Sequence, residues 1–179
     1  YTKLAYYNRP SNQQLFDFLY DLSVDVKDTI EMKKAFDLKT KTRAEASDYF
    51  KHSQSMFVAN RNYDQRIATL QKGLIEFPED TTLNFQINFV KGLFLTNQSK
   101  LPEAIAAFTD ALKFQNNPLA NQNVGFAYFN LGKYAEAIPF LTNAIYSNQF
   151  SDGKTEYFRG RCFYNLNQLD KACVDFQKT

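Results

Sequence analysis

The sequence VGFAYFNLGKYAEAIPFL, which runs from Val124 to Leu141, decides the fold. Val124, Tyr128 and Leu131 recur at helical spacing, and a second apolar series follows Gly132. A glycine directly after the last periodic residue is typical of a helix that ends in the left-handed conformation. The stretch therefore predicts two helices joined by a short turn.

Similar stretches stand on either side at a nearly constant period. The central alanines of the copies are Ala104, Ala137 and Ala172, which lie 33 and 35 residues apart. A glycine stands twelve residues before each alanine, and a bulky apolar residue stands three residues after each glycine. Self-similarity at a period of about 20–50 residues indicates a repeat architecture. The small residues, Gly125 and Ala137 in the middle copy, are expected to face each other, with large residues reaching toward the next unit.

An earlier copy of the pattern is degenerate. The stretch 62–70 keeps the tyrosine and the leucine, but Arg66 replaces the alanine. Gly73 takes the second small position, and Pro78 closes the unit. The first helix of this unit is expected over about 46–59.

This pattern resembles the tetratricopeptide repeat, a 34-residue helix–turn–helix with the signature W-x2-L-G-x2-Y, A-x3-F and P. Gly125 and Tyr128 match the G-x2-Y element, and Ala104 with Phe108 matches A-x3-F. The tryptophan position holds Asn88, Asn121 or Glu156 instead. The resemblance covers about residues 47–179 and implies an all-α, right-handed superhelix of helix–turn–helix repeats.

The sequence predicts an N-terminal segment followed by about four repeats. The segment, 1–46, is interpreted as an arm with a capping helix or hairpin, or alternatively as a partner-binding or oligomerising helix. The repeats are expected at 47–80 (degenerate), 85–117, 118–151 and 153–179 (truncated). Because the chain starts without Met and stops inside a repeat, we expect the native protein to extend further at both ends.

Composition excludes several classes of protein. Lys plus Arg is 21 and Asp plus Glu is 19, a formal net charge of +2 that does not suit a nucleic-acid binder. No apolar run approaches the roughly 20 residues of a transmembrane helix. The single His and the two Cys argue against a metal site, and glycine-rich phosphate loops are absent. No cofactor is expected.

Few residues are candidates for chemistry. His52 is the sole imidazole, but no Ser or Cys can be placed beside it, so we expect a surface or groove histidine rather than a general base. Cys162 and Cys173 are expected to be two buried thiols, with a disulfide or zinc site as the alternative.

A row of acidic residues runs along the first predicted helix. It comprises Asp17, Asp21, Asp25 and Asp28 at nearly helical spacing. Such a row is most often a solvated helix face, and the alternative is a site that attracts a cation or a basic partner.

The resemblance implies where a partner would bind, because the first helix of each repeat in this family lines a groove that receives peptides. Phe89, Leu93 and Tyr157 occupy groove positions, and an Asn recurs at one equivalent position in three repeats. Asn side chains donate and accept, which suits the backbone of an extended peptide. The predicted groove residues are Asn97, Gln122, Asn123, Phe126, Phe129, Asn130, Lys154, Phe158, Arg161, Tyr164 and Asn165.

The sequence therefore predicts a non-catalytic scaffold that binds an extended segment or helix of a partner protein, within a multiprotein assembly. The clamp for chaperone tails ending in Glu-Glu-Val-Asp is excluded, because Phe89, Leu93 and Phe158 stand at three of its five ligand positions. The alternatives are a chaperone for secreted or assembled subunits and a regulatory region of a larger enzyme. Oligomeric state and compartment stay open, with a lean toward the cytoplasm.

Overall fold

The fold is built from α-helices. A computed structural model describes residues 13–60, 62–147 and 153–179, and within these ranges it contains ten helices and no strand. The predicted all-α class is confirmed, while residues 1–12 of the predicted arm lie outside the described residues. The helices are α1 (Gln13–Asp25), α2 (Thr29–Thr42), α3 (Ala46–Asn60), α4 (Tyr63–Glu76), α5 (Thr81–Asn97), α6 (Leu101–Leu112), α7 (Pro118–Asn130), α8 (Tyr134–Tyr146), α9 (Lys154–Asn165) and α10 (Leu169–Phe176).

The chain divides into two compact units. The N-terminal unit ends at Leu83, and the C-terminal unit is Asn84–Thr179, so the division falls within α5. In the N-terminal unit, α1 packs against α2, and α3 packs against both α2 and α4. The helices of the predicted segment 1–46 therefore share one unit with the helix pair α3–α4.

A tight turn joins α1 and α2 into a helical hairpin. Lys27 takes a left-handed conformation, with φ 56°, and the Asp28 amide donates to the Ser23 carbonyl at 2.8 Å. Asp28 then caps α2, since its Oδ1 accepts from the Glu31 amide at 3.1 Å. The cap and the turn explain why this segment folds as a helical hairpin and not as one long helix.

His52 lies in the core of the N-terminal unit. Its ring stacks on Phe36, with centroids 4.1 Å apart, and its Nδ1 lies 2.9 Å from the Tyr20 hydroxyl, with which it forms a hydrogen bond. Only 2% of the residue is exposed, so the expected surface or groove histidine is wrong. A neutral imidazole is flat and largely apolar, and one hydrogen bond to a ring nitrogen makes it suitable for burial between aromatic rings.

The acidic row is only in part a solvated face. The Lys39 ammonium lies 2.5 Å from an Asp17 oxygen and 2.6 Å from an Asp48 oxygen, and Lys51 lies 2.7 Å from Asp21. Since Asp28 is the cap of α2, three of the four carboxylates have structural partners. Asp21 and Asp25 are exposed, so the expected solvated face is confirmed for them, whereas Asp17 and Asp28 are half-buried because Lys39 reaches Asp17 and Asp28 caps α2.

The helix pairs of the C-terminal unit pack through a glycine on their first helix. A Cβ placed on Gly92 would lie 2.5 Å from the Phe108 ring, and one on Gly125 would lie 2.5 Å from Leu141 Cδ2. A Cβ on Gly160 would lie 2.8 Å from the ring of Phe176. The space beside each glycine is therefore filled by the side chain of the large residue four positions after the central alanine. The predicted pairing of Gly125 with Ala137 misjudged which side chain occupies this space.

A recurring turn ends the first helix of each pair in this unit. Ser99, Gly132 and Asn167 occupy its left-handed position, with φ of 60°, 72° and 58°. The amide of the following residue donates to the carbonyl five residues upstream at 2.9 to 3.0 Å in all three turns. This is the Schellman arrangement, and it confirms the left-handed helix end predicted at Gly132.

The two cysteines differ in environment, and both are free thiols. Cys162 is fully buried, and burial raises its pKa to about 11. Cys173 is exposed, so the expectation of two buried thiols is wrong for it. Cys173 directly follows the buried Ala172 on α10, and its side chain therefore points about 100° away around the helix, toward solvent.

A glycine in the first of the recurring turns should stabilise the chain. Ser99→Gly removes the unfavourable left-handed conformation of a residue with a Cβ and should raise the free energy of unfolding by about 0.5–1 kcal/mol. Gly132→Ala is the matched control, because no atom lies within 4 Å of the added Cβ and only the backbone conformation opposes it. It should lower stability by about 1 kcal/mol. Denaturant unfolding followed by circular dichroism measures both, and a destabilising Ser99→Gly would contradict this account.

The burial of His52 predicts a stability that depends on pH. Burial lowers the His52 pKa from 6.5 to about 4, so the unfolded chain binds more protons between these values. As pH falls through this window, the unfolding free energy should decrease by on the order of 3 kcal/mol from this group. His52→Phe keeps the ring stacked on Phe36 and removes the titration. Unfolding at pH 6.5 and pH 4.5 should therefore show a smaller difference for the variant than for the wild type. An equal difference in the variant and the wild type would contradict this account, because the pH dependence would then come from carboxylates and not from His52.

Candidate partner-binding groove

Helices α7 and α9, the first helices of two successive pairs, lie side by side in the C-terminal unit. Gln122 Nε2 on α7 donates to Thr155 Oγ1 on α9 at 2.7 Å. Thr155 is fully buried, so this hydrogen bond lies at the seam between the two pairs. The two residues are 33 positions apart, which equals the repeat spacing, although the sequence pattern did not single out Thr155.

Three phenylalanines extend the seam toward solvent. Phe158 lies between Phe126 and Phe129, with ring centroids 4.6 Å and 4.9 Å away. We call Phe126, Phe158 and Phe129 the aromatic ladder. Each such ring pair contributes about 0.5–1.5 kcal/mol beyond its buried area. All three residues are half-buried, so the ladder holds α7 against α9 and still presents ring surface.

Two cations lie over the ladder at opposite ends. Lys154 Nζ is 5.3 Å from the ring centroid of Phe126, and Arg161 Cζ is 5.3 Å from that of Phe129. Arg161 also lies 5.9 Å from the ring centroid of Tyr157. Both cations are exposed and stand seven residues apart on α9, about 10 Å along the helix. The structure therefore brings five predicted groove residues together as one cationic and aromatic surface.

The recurring asparagines share a structural position. Asn97, Asn130 and Asn165 are the last residues of α5, α7 and α9. All three are exposed, and Asn165 Nδ2 donates to the Arg161 carbonyl at 2.7 Å. Asn123, earlier on α7, likewise donates to the Leu119 carbonyl at 2.7 Å. Asn123 and Asn165 therefore each donate one side-chain N–H to a backbone carbonyl of their own helix.

The predicted groove is wrong at Phe89. Phe89 is buried and packs on Phe85 and Phe108, each with ring centroids 5.5 Å away, so it is a core residue. Leu93 is half-buried against the same core cluster, and Asn97 is exposed. Tyr164, at the other end, is 62% exposed and belongs to the accessible surface.

A buried ion pair behind the groove escaped the sequence pattern. Arg159 donates to both carboxylate oxygens of Asp175, at 2.8 Å and 2.6 Å, and to Thr142 Oγ1 at 3.1 Å. The hydrogen bonds to Asp175 raise the pKa of Arg159 above its usual value. This arrangement joins α8, α9 and α10. The signature of small and apolar positions contains no signal for it, because the charged residues do not recur in the other copies.

Across 13–60, 62–147 and 153–179, no three His, Cys, Asp or Glu side chains are grouped so that they could hold a metal ion. Within the same ranges, no helix is long and apolar enough to cross a bilayer.

Comparisons with known proteins agree with this architecture. The family model of the tetratricopeptide repeat matches residues 119–150. The crystal structure of MamA is 16% identical with a TM-score of 0.69, over 92% of this chain and 88% of that chain. MamA from Desulfovibrio magneticus RS-1 is 21% identical with a TM-score of 0.58, over 74% and 72%.

The solved structure of YrrB also has a similar fold. YrrB, a tetratricopeptide repeat protein with an unusual peptide-binding site, is 16% identical with a TM-score of 0.64, over 99% of this chain and 89% of that chain. No curated protein sequence matches the chain. At these identities the structural likeness shows the fold. The chain therefore has the fold of tetratricopeptide repeat proteins, and its residues 119–150 match the model of that repeat.

Proposed function

We propose that this protein is a non-catalytic interaction scaffold, which binds an extended segment or helix of a partner protein along α7 and α9. The observation that carries the proposal is the aromatic ladder with Lys154 and Arg161 over its two ends. The fold supports it, since tetratricopeptide repeat proteins are generally interaction modules. The peptide-binding site named for YrrB adds support of the same kind.

The groove offers two kinds of contact to a peptide. Ring surface of the ladder takes up apolar side chains, and burial of apolar area contributes roughly 25 cal/mol per Å². The cations and the exposed amides of Asn130 and Asn165 act on polar groups at the edges of the groove. Arg161 can donate to a carboxylate or a backbone carbonyl, and an amide both donates and accepts. Apolar contact therefore supplies most of the affinity, and polar contacts set the register.

The groove is preorganised. The Gln122–Thr155 hydrogen bond and the ring contacts of Phe158 fix α7 against α9 before any partner arrives. A surface that is already ordered loses little conformational entropy on binding, which improves affinity without additional contacts.

The absence of catalysis is also part of the proposal. Two side chains that could supply a base or a nucleophile, His52 and Cys162, are poorly placed for it. His52 is buried between aromatic residues, and its lowered pKa keeps it neutral near pH 7. The Cys162 thiol is buried and, with its raised pKa, stays protonated. Neither residue is exposed to a substrate in solution.

A substitution at the exposed edge of the groove should abolish partner binding and leave the fold intact. We expect the double variant Arg161→Ala, Tyr164→Ala to lose a partner that wild-type protein captures from native extract, identified by mass spectrometry. Both side chains are exposed, so helicity should not change. Tyr146→Ala is the matched control, because Tyr146 is 83% exposed on α8, outside the predicted groove. A partner kept by the groove variant and lost by the control would move the interface away from α7 and α9.

The affinity for that partner should depend weakly on salt. Since the groove contains only two cations in the predicted set, at most two ion pairs form with a ligand. Exposed ion pairs contribute about 0–1 kcal/mol each. Titration calorimetry at 50 mM and 500 mM NaCl should therefore show a change in Kd of less than about tenfold. A loss of a hundredfold or more would contradict an aromatic mechanism.

A further inference from the structure

The guanidinium of Arg161 is held in place by aromatic rings. Its Cζ lies 5.3 Å from the ring centroid of Phe129 on α7 and 5.9 Å from that of Tyr157, one turn earlier on α9. Arginine stacks on aromatic faces and is more weakly hydrated than an ammonium, so the two rings restrict the guanidinium without using its N–H donors. Arg161 is therefore positioned in the groove before a partner binds.

The N–H donors of Arg161 are available to a ligand. Within 13–60, 62–147 and 153–179, no carboxylate forms an ion pair with Arg161, and no group accepts a hydrogen bond from its guanidinium. The neighbouring Arg159 differs, because both oxygens of Asp175 accept from it. Arg161 is also exposed, so a ligand can reach it. A guanidinium presents its donors as a fork that matches the two oxygens of a carboxylate.

The charges of the surrounding helices favour an anionic ligand. α7 contains no charged residue, and α9 contains one carboxylate, Glu156. Glu156 stands five positions before Arg161, about 140° away around the helix, and one of its oxygens is buried. In the described part of the C-terminal unit the exposed carboxylates lie on the second helices, and they are Glu103, Asp110, Glu136 and Asp170. An acidic ligand therefore reaches Arg161 without an opposing carboxylate on α7.

Apolar ring surface lies directly beside Arg161. Phe158, the middle ring of the aromatic ladder, stands three positions earlier on α9, and helix residues at this spacing have Cβ atoms about 5–6 Å apart. In an extended segment, residues two positions apart are separated by about 7 Å and project on the same side. A carboxylate bound at Arg161 therefore brings a side chain two positions away onto the ladder, whereas the adjacent side chains project from the opposite side.

We propose that the partner segment in the groove is acidic, and that Arg161 binds one of its internal carboxylates. The segment carries an aspartate or glutamate two positions away from a large apolar residue, which packs on Phe158. This inference rests on the proposed function, since it names the ligand class of the same groove. It differs from the excluded clamp for chaperone tails, because it needs no C-terminal carboxylate and uses an arginine stacked on the ladder.

The test uses capped nine-residue peptides as probes and the full chain as receptor. All residues are serine except a central glutamate and two phenylalanines, and acetyl and amide groups remove the terminal charges. The in-register peptide has phenylalanine at its third and seventh positions, so both chain directions present the same pattern. The out-of-register peptide has phenylalanine at its fourth and sixth positions, and a glutamine peptide replaces the in-register glutamate. Peptides of this length are too short for a stable helix.

NMR titration of the isotope-labelled protein gives the dissociation constants. We expect the in-register glutamate peptide to bind about three- to tenfold more tightly than the glutamine peptide, because only glutamate forms the charged bidentate contact. The out-of-register peptide should bind at least about threefold more weakly, since its phenylalanines and glutamate project to opposite sides. Binding of either control as tight as that of the in-register glutamate peptide, or no binding of the latter, would overturn the inference.

Matched variants locate the bound carboxylate. Arg161→Gln should remove the preference for glutamate over glutamine, whereas Lys154→Gln, which removes another exposed cation from above a ring, should keep it. The two cations stand about 10 Å apart along α9, which is about one Debye length at about 0.1 M salt. Arg161→Glu should reverse the selectivity, so that a peptide with a central lysine binds more tightly than the glutamate peptide. A purely structural role of Arg161 would weaken all peptides alike. That result, or a preference lost in Lys154→Gln, would overturn the inference.

Failure of this inference is distinguishable from failure of the proposed function. If the glutamate and glutamine peptides bind equally, and both are lost in Arg161→Ala, Tyr164→Ala, the groove binds segments without selecting a carboxylate. The inference is then wrong and the proposed function stands. If that double variant retains the partner captured from native extract, the groove is not the interface, and both are wrong.

Discussion

Close approach at a glycine is the constraint on which the C-terminal unit depends. Gly92, Gly125 and Gly160 leave space on the first helix of each pair, and Phe108, Leu141 and Phe176 fill that space from the second helix. This contact fixes the rotation of each first helix about its axis. Because successive residues are about 100° apart around a helix, the position before the glycine then faces the preceding pair, as Val124 and Arg159 do, and the position after it, such as Phe126, faces the next pair. The seam and the groove are consequences of that rotation.

The groove residues consequently contribute to the fold, and in the proposed function they also bind the partner. Phe126 and Phe129 make ring contacts with Phe158, and Gln122 forms a hydrogen bond across the same seam. Removing any of these side chains weakens the contact between α7 and α9, and removing one of the phenylalanines also removes ring surface. In the proposed function, the exposed edge of the groove at Asn130 and Tyr164 contacts the partner, whereas Arg161 also joins α9 to α7 through its position over the Phe129 ring. Rigidity and affinity are therefore linked in the centre of the groove and separable at its margin.

The sequence predicted what recurs and missed what occurs once. The helix pairs and the left-handed Gly132 follow from periodic small and apolar positions, which each copy repeats. The burial of His52 could not be predicted, because its partners Tyr20 and Phe36 lie on other helices and belong to no repeat. The Arg159–Asp175 ion pair was missed for the same reason. At the groove, the pattern named the ladder and both cations, but it placed Phe89 in solvent, since a first-helix position alone does not indicate burial.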